Sequence, residues 1–118
     1  MDIKHIYEPD DLQCGQAVLA MLTGIDVVKI AEECGTTRET TLADMKRVLS
    51  AHGFSVSAER KAAQKIHELP QIALLSLETP RCWHWSLYVS GIVYDPEHGV
   101  LNDFPNSNRK YYWEIEQK

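Results

Sequence analysis

With 118 residues, 44% of them apolar and 25% charged, the chain has the size and balance of a single globular domain, spanning residues 1–118 without repeat, low-complexity tract or linker. Its 17 acidic residues outnumber its 12 basic ones, and the formal charge of -5 offers no electrostatic footprint for nucleic acid or an anionic membrane. The charged start Met1-Asp2-Ile3-Lys4-His5 lacks the apolar stretch of a signal peptide, and no apolar run reaches the length of a membrane span.

In chain order, the first expected element is a helix over residues 14–22, rich in Ala and Leu, capped by Asp10 or Asp11 and stopped at Thr23-Gly24. Asp26 opens a second helix closed by Gly35, and Thr41 a third closed by Gly53. Residues 54–58 read as a short strand, 61–68 as a basic, weakly helical connector, and 71–77 as a buried strand. Next come Trp83-His84-Trp85-Ser86-Leu87-Tyr88-Val89, the pair Ser90-Gly91, and Ile92-Val93-Tyr94-Asp95, the pattern of a hairpin with a two-residue turn. Residues 111–116 form a last strand.

If Val89 faces Ile92, Ser86 faces Asp95, and alternation sets His84 and Asp95 on one face as diagonal neighbours. Trp85, Leu87, Val89, Ile92 and Tyr94 fall on the other, so one face is expected to carry chemistry and the other packing. Cys14, at the start of the first helix, completes a pattern of thiol, imidazole and carboxylate. The thiolate is the nucleophile in such chemistry, and a helix N-terminus or a neighbouring imidazolium favours it. The residues alone make the chain a candidate cysteine hydrolase.

Three cysteines without CxxC spacing argue against a disulfide framework or a zinc site and suit a reducing cytoplasm. Cys34 and Cys82 are expected to pack, although Cys82 is two residues from His84. His5, His52, His67 and His98 are expected at the surface, with no metal and no cofactor. Trp83, Trp85, Tyr88, Tyr111, Tyr112 and Trp113 are candidates for walling a peptide-binding cleft, Trp83 and Trp85 first, against the core that strand aromatics more often fill.

The order Cys-Gly-x-Ala-x-x-Ala-Met-Leu at Cys14, Thr41-Leu42, Gly53-Phe54, Leu69-Pro70-x-Ile72-Ala73-Leu74-Leu75, His84-Trp85 and Tyr94-Asp95-Pro96-x-x-Gly99 resembles the bacterial bacteriocin-processing peptidase domains that cut double-glycine leaders, members of the papain-like cysteine peptidases. The resemblance implies an α+β, papain-like fold with the nucleophile helix packed on a small antiparallel sheet. It also implies Cys14 as nucleophile, His84 as general base and later acid, and Asp95 as the group that orients His84. Those peptidases place a Gln six residues before the nucleophile to hold the oxyanion. Here Glu8 stands there, and an ionised carboxylate cannot donate. Gln13, Gln16 and the Cys14 N–H are the other candidate donors. The implied activity is a stand-alone peptidase acting on a peptide or protein after small residues. A deamidase or transamidase on the same triad and a peptide-binding module of weak activity are the alternatives. The oligomeric state is left open.

Overall fold

A computed structural model describes residues 1–118. Three helices, α1 (Cys14–Thr23), α2 (Val27–Cys34) and α3 (Leu42–Ala51), precede seven strands: β1 (Phe54–Val56), β2 (Lys61–Ala62), β3 (Ile72–Glu78), β4 (Trp83–Val89), β5 (Ile92–Asp95), β6 (Gly99–Leu101) and β7 (Lys110–Gln117). The fold class is α+β. The strands form one sheet in the order β1-β7-β3-β4-β5-β6, with β2 also paired to β7 and every pairing antiparallel.

Local chemistry explains the helix boundaries. Asp26 accepts from the Val28 N–H at 2.8 Å, and Thr41 and Asp44 form a reciprocal capping box on α3. Gly24 and Gly35 end α1 and α2 in the left-handed conformation that glycine adopts without penalty. Neither Asp10 nor Asp11 caps α1, contrary to the expectation. Asp10 instead closes its own turn on the Leu12 N–H, and Gln13 occupies the cap position with no side-chain hydrogen bond.

Apolar alternation gives the sheet two packed faces. The helices cover one, where Leu19, Ile30, Met45 and Leu49 meet Leu74, Leu87 and Trp113. On the other, Ala73, Leu75, Leu77, Tyr88 and Val93 are covered by Leu69, Ile66 and Phe104. Each buried leucine contributes about 1.5–3 kcal/mol. The division into a chemical and a packing face is therefore corrected: Tyr88 and Val93 share the face of His84 and Asp95 and belong to a second core.

Residues 61–68 are also different from expectation, being a short strand against β7 followed by a 3-10 turn at Ile66–Glu68. Strand β6 has no counterpart among the expected elements. The last strand, β7, is not peripheral: it lies between β1 and β3.

Candidate active site

Cys14 is the first residue of α1, a helix whose Ala17, Val18, Leu19 and Ala20 are wholly buried. That burial fixes the helix against β4 and leaves the thiol half-buried at its N-terminal end. Gly15 is required by close approach: a Cβ there would fall 1.9 Å from Thr40 Oγ1 and 2.9 Å from Trp85 Cδ1. The Cys-Gly pair therefore lets the start of α1 press against the 40 loop and β4. Cys14 Sγ accepts from the Trp85 N–H at 3.4 Å.

The β4–β5 hairpin takes the expected register, with Val89 opposite Ile92 and Leu87 opposite Tyr94. Positive φ at both Ser90 and Gly91, 47° and 94°, gives the primed two-residue turn whose twist matches the strands. His84 and Asp95 consequently meet. His84 Nε2 donates to both Asp95 carboxylate oxygens at 3.1 Å, with both side chains almost wholly buried.

Asp95 is surrounded by donors. Besides His84, it accepts from Ser86 Oγ at 2.7 Å, the Glu97 N–H at 3.1 Å, the His98 N–H at 2.9 Å and His98 Nδ1 at 2.8 Å. Burial by itself would raise its pKa, but the bonds from His84, Ser86 and His98 outweigh it and hold the carboxyl well below the carboxylate range. For His84, burial opposes the charge, yet the hydrogen bond to Asp95 and the interaction with the Cys14 sulfur raise its pKa from 6.5 to about 10. The imidazole thus holds its proton across the neutral range.

Two histidines outside the expected site reach it: His98, exposed as expected, and His5, which is half-buried. His5 Nε2 donates to the Asp95 carbonyl oxygen at 2.8 Å, and His98 holds the Asp95 carboxylate. The Asp-Pro-x-His order was the legible signal for His98, because an Asp side chain often accepts from backbone N–H groups two and three residues on. His5 gave none, since its partner lies 90 residues away.

Of the expected oxyanion donors, Gln16 is corrected. Its amide nitrogen donates to the Thr36 and Arg38 carbonyls at 2.6 and 3.1 Å, leaving no N–H for another acceptor, and its oxygen accepts from Gln13. Gln16 therefore ties the 36–38 loop to α1, and Gln13 has one amide N–H left. Glu8 is fixed by its own N–H on the Pro96 carbonyl at 2.9 Å. One of its carboxylate oxygens lies within 4.8 Å of a His84 ring nitrogen and of a Glu97 oxygen, and its buried Oε1 has no hydrogen-bond partner. Burial, the largest influence, raises the Glu8 pKa above 4.5; His84 pulls it down, and Glu97, Asp11 and Asp95 push it further up.

His84, Asp95 and His98 also bring ligand-type atoms within 4.8 Å of one another. Both imidazole nitrogens nearest Asp95 are already spent on it, which makes the group a closed hydrogen-bond network and not an open coordination sphere.

A cleft of about 440 Å³ opens at Cys14 and His84, walled by Leu12, Thr40, Trp83 and Trp85. Trp83 is 47% exposed and stacks on Tyr111, whereas Trp85 donates its indole N–H to the Thr40 carbonyl at 3.0 Å and packs on Trp113. Tyr88 and Trp113 are core residues. Cys34 is buried in the core, where burial raises its thiol pKa, while Cys82 is exposed at the rim of the cleft. A larger hollow of about 570 Å³ lies between Pro9, Gln13 and α2 and is lined by none of the three residues Cys14, His84 and Asp95.

Three helices on an antiparallel sheet make an α+β fold that two solved peptidase domains share. The peptidase domain of Streptococcus ComA, a bifunctional ABC transporter involved in a quorum sensing pathway, superposes with a TM-score of 0.69 at 17% identity, covering 99% of this chain and 100% of that one. A double-glycine motif protease from an AMS/PCAT transporter, in complex with the leader peptide, gives 0.70 at 15% identity over 99% of this chain and 93% of that one. At these identities the likeness is one of fold. No protein-family model and no curated protein matches the sequence.

Proposed function

We propose that the chain is a cysteine peptidase that hydrolyses a peptide or protein substrate through Cys14, His84 and Asp95. The observation that carries this reading is the convergence of three residues from a helix start and two strands: Cys14 and His84 line one cleft, and His84 is bonded to the buried Asp95. The protease seen with a leader peptide supports a peptide as the occupant of that cleft.

The chemistry follows from the protonation pattern. With His84 protonated, the Cys14 sulfur attacks the scissile carbonyl carbon as thiolate, and the carbonyl oxygen takes the negative charge. His84 then gives its proton to the leaving nitrogen, the C–N bond breaks, and a thioester remains on Cys14. Water attacks the thioester carbon while His84 takes its proton; the C–S bond breaks and the carboxylic acid leaves. Asp95 keeps the His84 Nε2 proton oriented and stabilises the imidazolium. Every proton is carried by His84, so the scheme uses no cofactor. The residues 1–118 act as one unit in this reading, and an odd number of cysteines without CxxC spacing suits a reducing compartment such as the cytoplasm.

Incubation with a peptide mixture at neutral pH, with the wild type and with Cys14→Ala, tests this by mass spectrometry. Fragment pairs present only with Cys14 are expected. Exchange of an amide nitrogen for oxygen without fragmentation indicates a deamidase, and identical samples from both proteins leave only a peptide-binding module.

A further inference from the structure

We infer that the outer edge of β4 at Trp83 binds the main chain of the substrate, which adds to the sheet as an extended, antiparallel strand on the leaving side of the cut bond. The inference rests on the peptidase reading of Cys14, His84 and Asp95. It starts from the hydrogen bonds of the β3–β4 pair. Along an antiparallel ladder, one residue exchanges bonds with its partner and the next turns its N–H and C=O away from it. The Thr79 N–H donates to the Cys82 carbonyl at 2.9 Å, so the following pair, Glu78 and Trp83, is turned outward on both strands. Glu78 follows that pattern: its N–H donates to the Arg109 carbonyl at 2.9 Å and its carbonyl accepts from the Asn108 N–H at 2.7 Å, both away from β4. Trp85 follows it too, its N–H donating to Cys14 Sγ at 3.4 Å. Trp83 therefore turns its N–H and C=O to the side on which the nucleophile lies.

That side of β4 is open at Trp83. Strand β5 pairs with Leu87, Tyr88 and Val89 only, and the chain then departs through Pro96, which has no N–H to extend the ladder. The open stretch walls the cleft, which Trp83, His84 and Trp85 line together with Cys14. An unpaired strand edge is a template for another extended chain, and the position of this one selects the occupant, because a peptide whose carbonyl reaches Cys14 passes along it.

The register follows from the geometry. Strand β4 runs from Trp83 to Trp85, so an antiparallel peptide brings to Trp83 the part that follows the cut bond. A strand rises about 3.3 Å per residue, which sets Trp83 about 7 Å from the Trp85 N–H that marks Cys14. One substrate residue, about two positions past the cut bond, thus exchanges both bonds with Trp83: its N–H donates to the Trp83 carbonyl, and its carbonyl accepts from the Trp83 N–H. Its two neighbours turn their main-chain groups away. Recognition at this point reads an extended main chain and tolerates varied side chains.

The test takes a peptide cut in the mixture experiment and measures kcat/KM for copies N-methylated at each residue after the cut bond in turn. Methylation at a single residue is expected to lower kcat/KM about tenfold, with the residue on either side of it close to the unmodified peptide. On the protein side, Trp83→Pro removes the outward N–H and Trp83→Val keeps it, both losing the indole; proline is tolerated at the first residue of a strand. Trp83→Pro is expected to be about tenfold slower than Trp83→Val on the unmodified peptide, at matching circular dichroism. If Trp83→Pro does not fold, the N-methyl series decides alone. Methylation that is harmless throughout, or equally harmful at consecutive residues, or equal rates for folded Trp83→Pro and Trp83→Val, overturns the strand pairing and leaves the peptidase reading intact. Absence of Cys14-dependent cleavage of any unmodified peptide defeats the peptidase reading and this one with it.

Discussion

Two carboxyl groups approach His84, and the more deeply buried of them is the stronger acid. Asp95 is wholly buried yet held ionised by five donor groups, whereas half-buried Glu8 has an oxygen without a partner and a raised pKa. Burial disfavours charge in both. The supply of donors decides the outcome, and β4 together with the turn 95–98 supplies them to one side chain only.

The largest expected effect comes from disturbing the donor-rich member. Asp95→Asn turns an acceptor into an amide whose N–H atoms confront the donors already there, and it removes the charge that stabilises the imidazolium. Turnover is expected to fall on the order of 10⁴-fold, and stability by about 3–5 kcal/mol, measured by urea unfolding. Combining it with His84→Ala should lower turnover little further, because the two act as one unit. Glu8→Gln is the matched control: it removes a poorly solvated carboxyl and is expected to leave stability within about 1 kcal/mol of wild type. Equal losses of stability in the two variants would erase the comparison.

A smaller effect is the dependence of stability on pH. The His84 pKa is raised in the folded state, so its contribution is complete below 6.5 and is lost as pH climbs to about 10. The Asp95 pKa is lowered, so its contribution is complete above 3.8 and is lost in acid. Stability is expected to be greatest between these limits, and Asp95→Asn should flatten both flanks in unfolding midpoints recorded across pH.

Much of this arrangement was legible in the residues, and the part that was not has a common cause. Alternation and the Ser90-Gly91 turn set the register that joins His84 to Asp95, and local caps at Asp26 and Thr41 marked two helices. The cap of α1 was misread because the Asp10 side chain found a nearer N–H in its own turn. The second core, the central place of β7, the commitment of Gln16 to the 36–38 loop and the arrival of His5 at Asp95 all depend on partners distant in sequence. Composition and period describe which face a side chain takes, and give no information on which distant segment covers that face.

Activation of Cys14 by His84 is the central claim, and the three thiols differ in a way that exposes it. Cys82 is exposed, Cys14 half-buried and Cys34 buried, so accessibility alone ranks Cys82 first. Brief alkylation with iodoacetamide in mildly acidic buffer, followed by peptide mapping, separates access from activation. Modification of Cys14 ahead of Cys82, abolished by His84→Ala, is the result the account predicts; preferential labelling of Cys82, unchanged by His84→Ala, would contradict it.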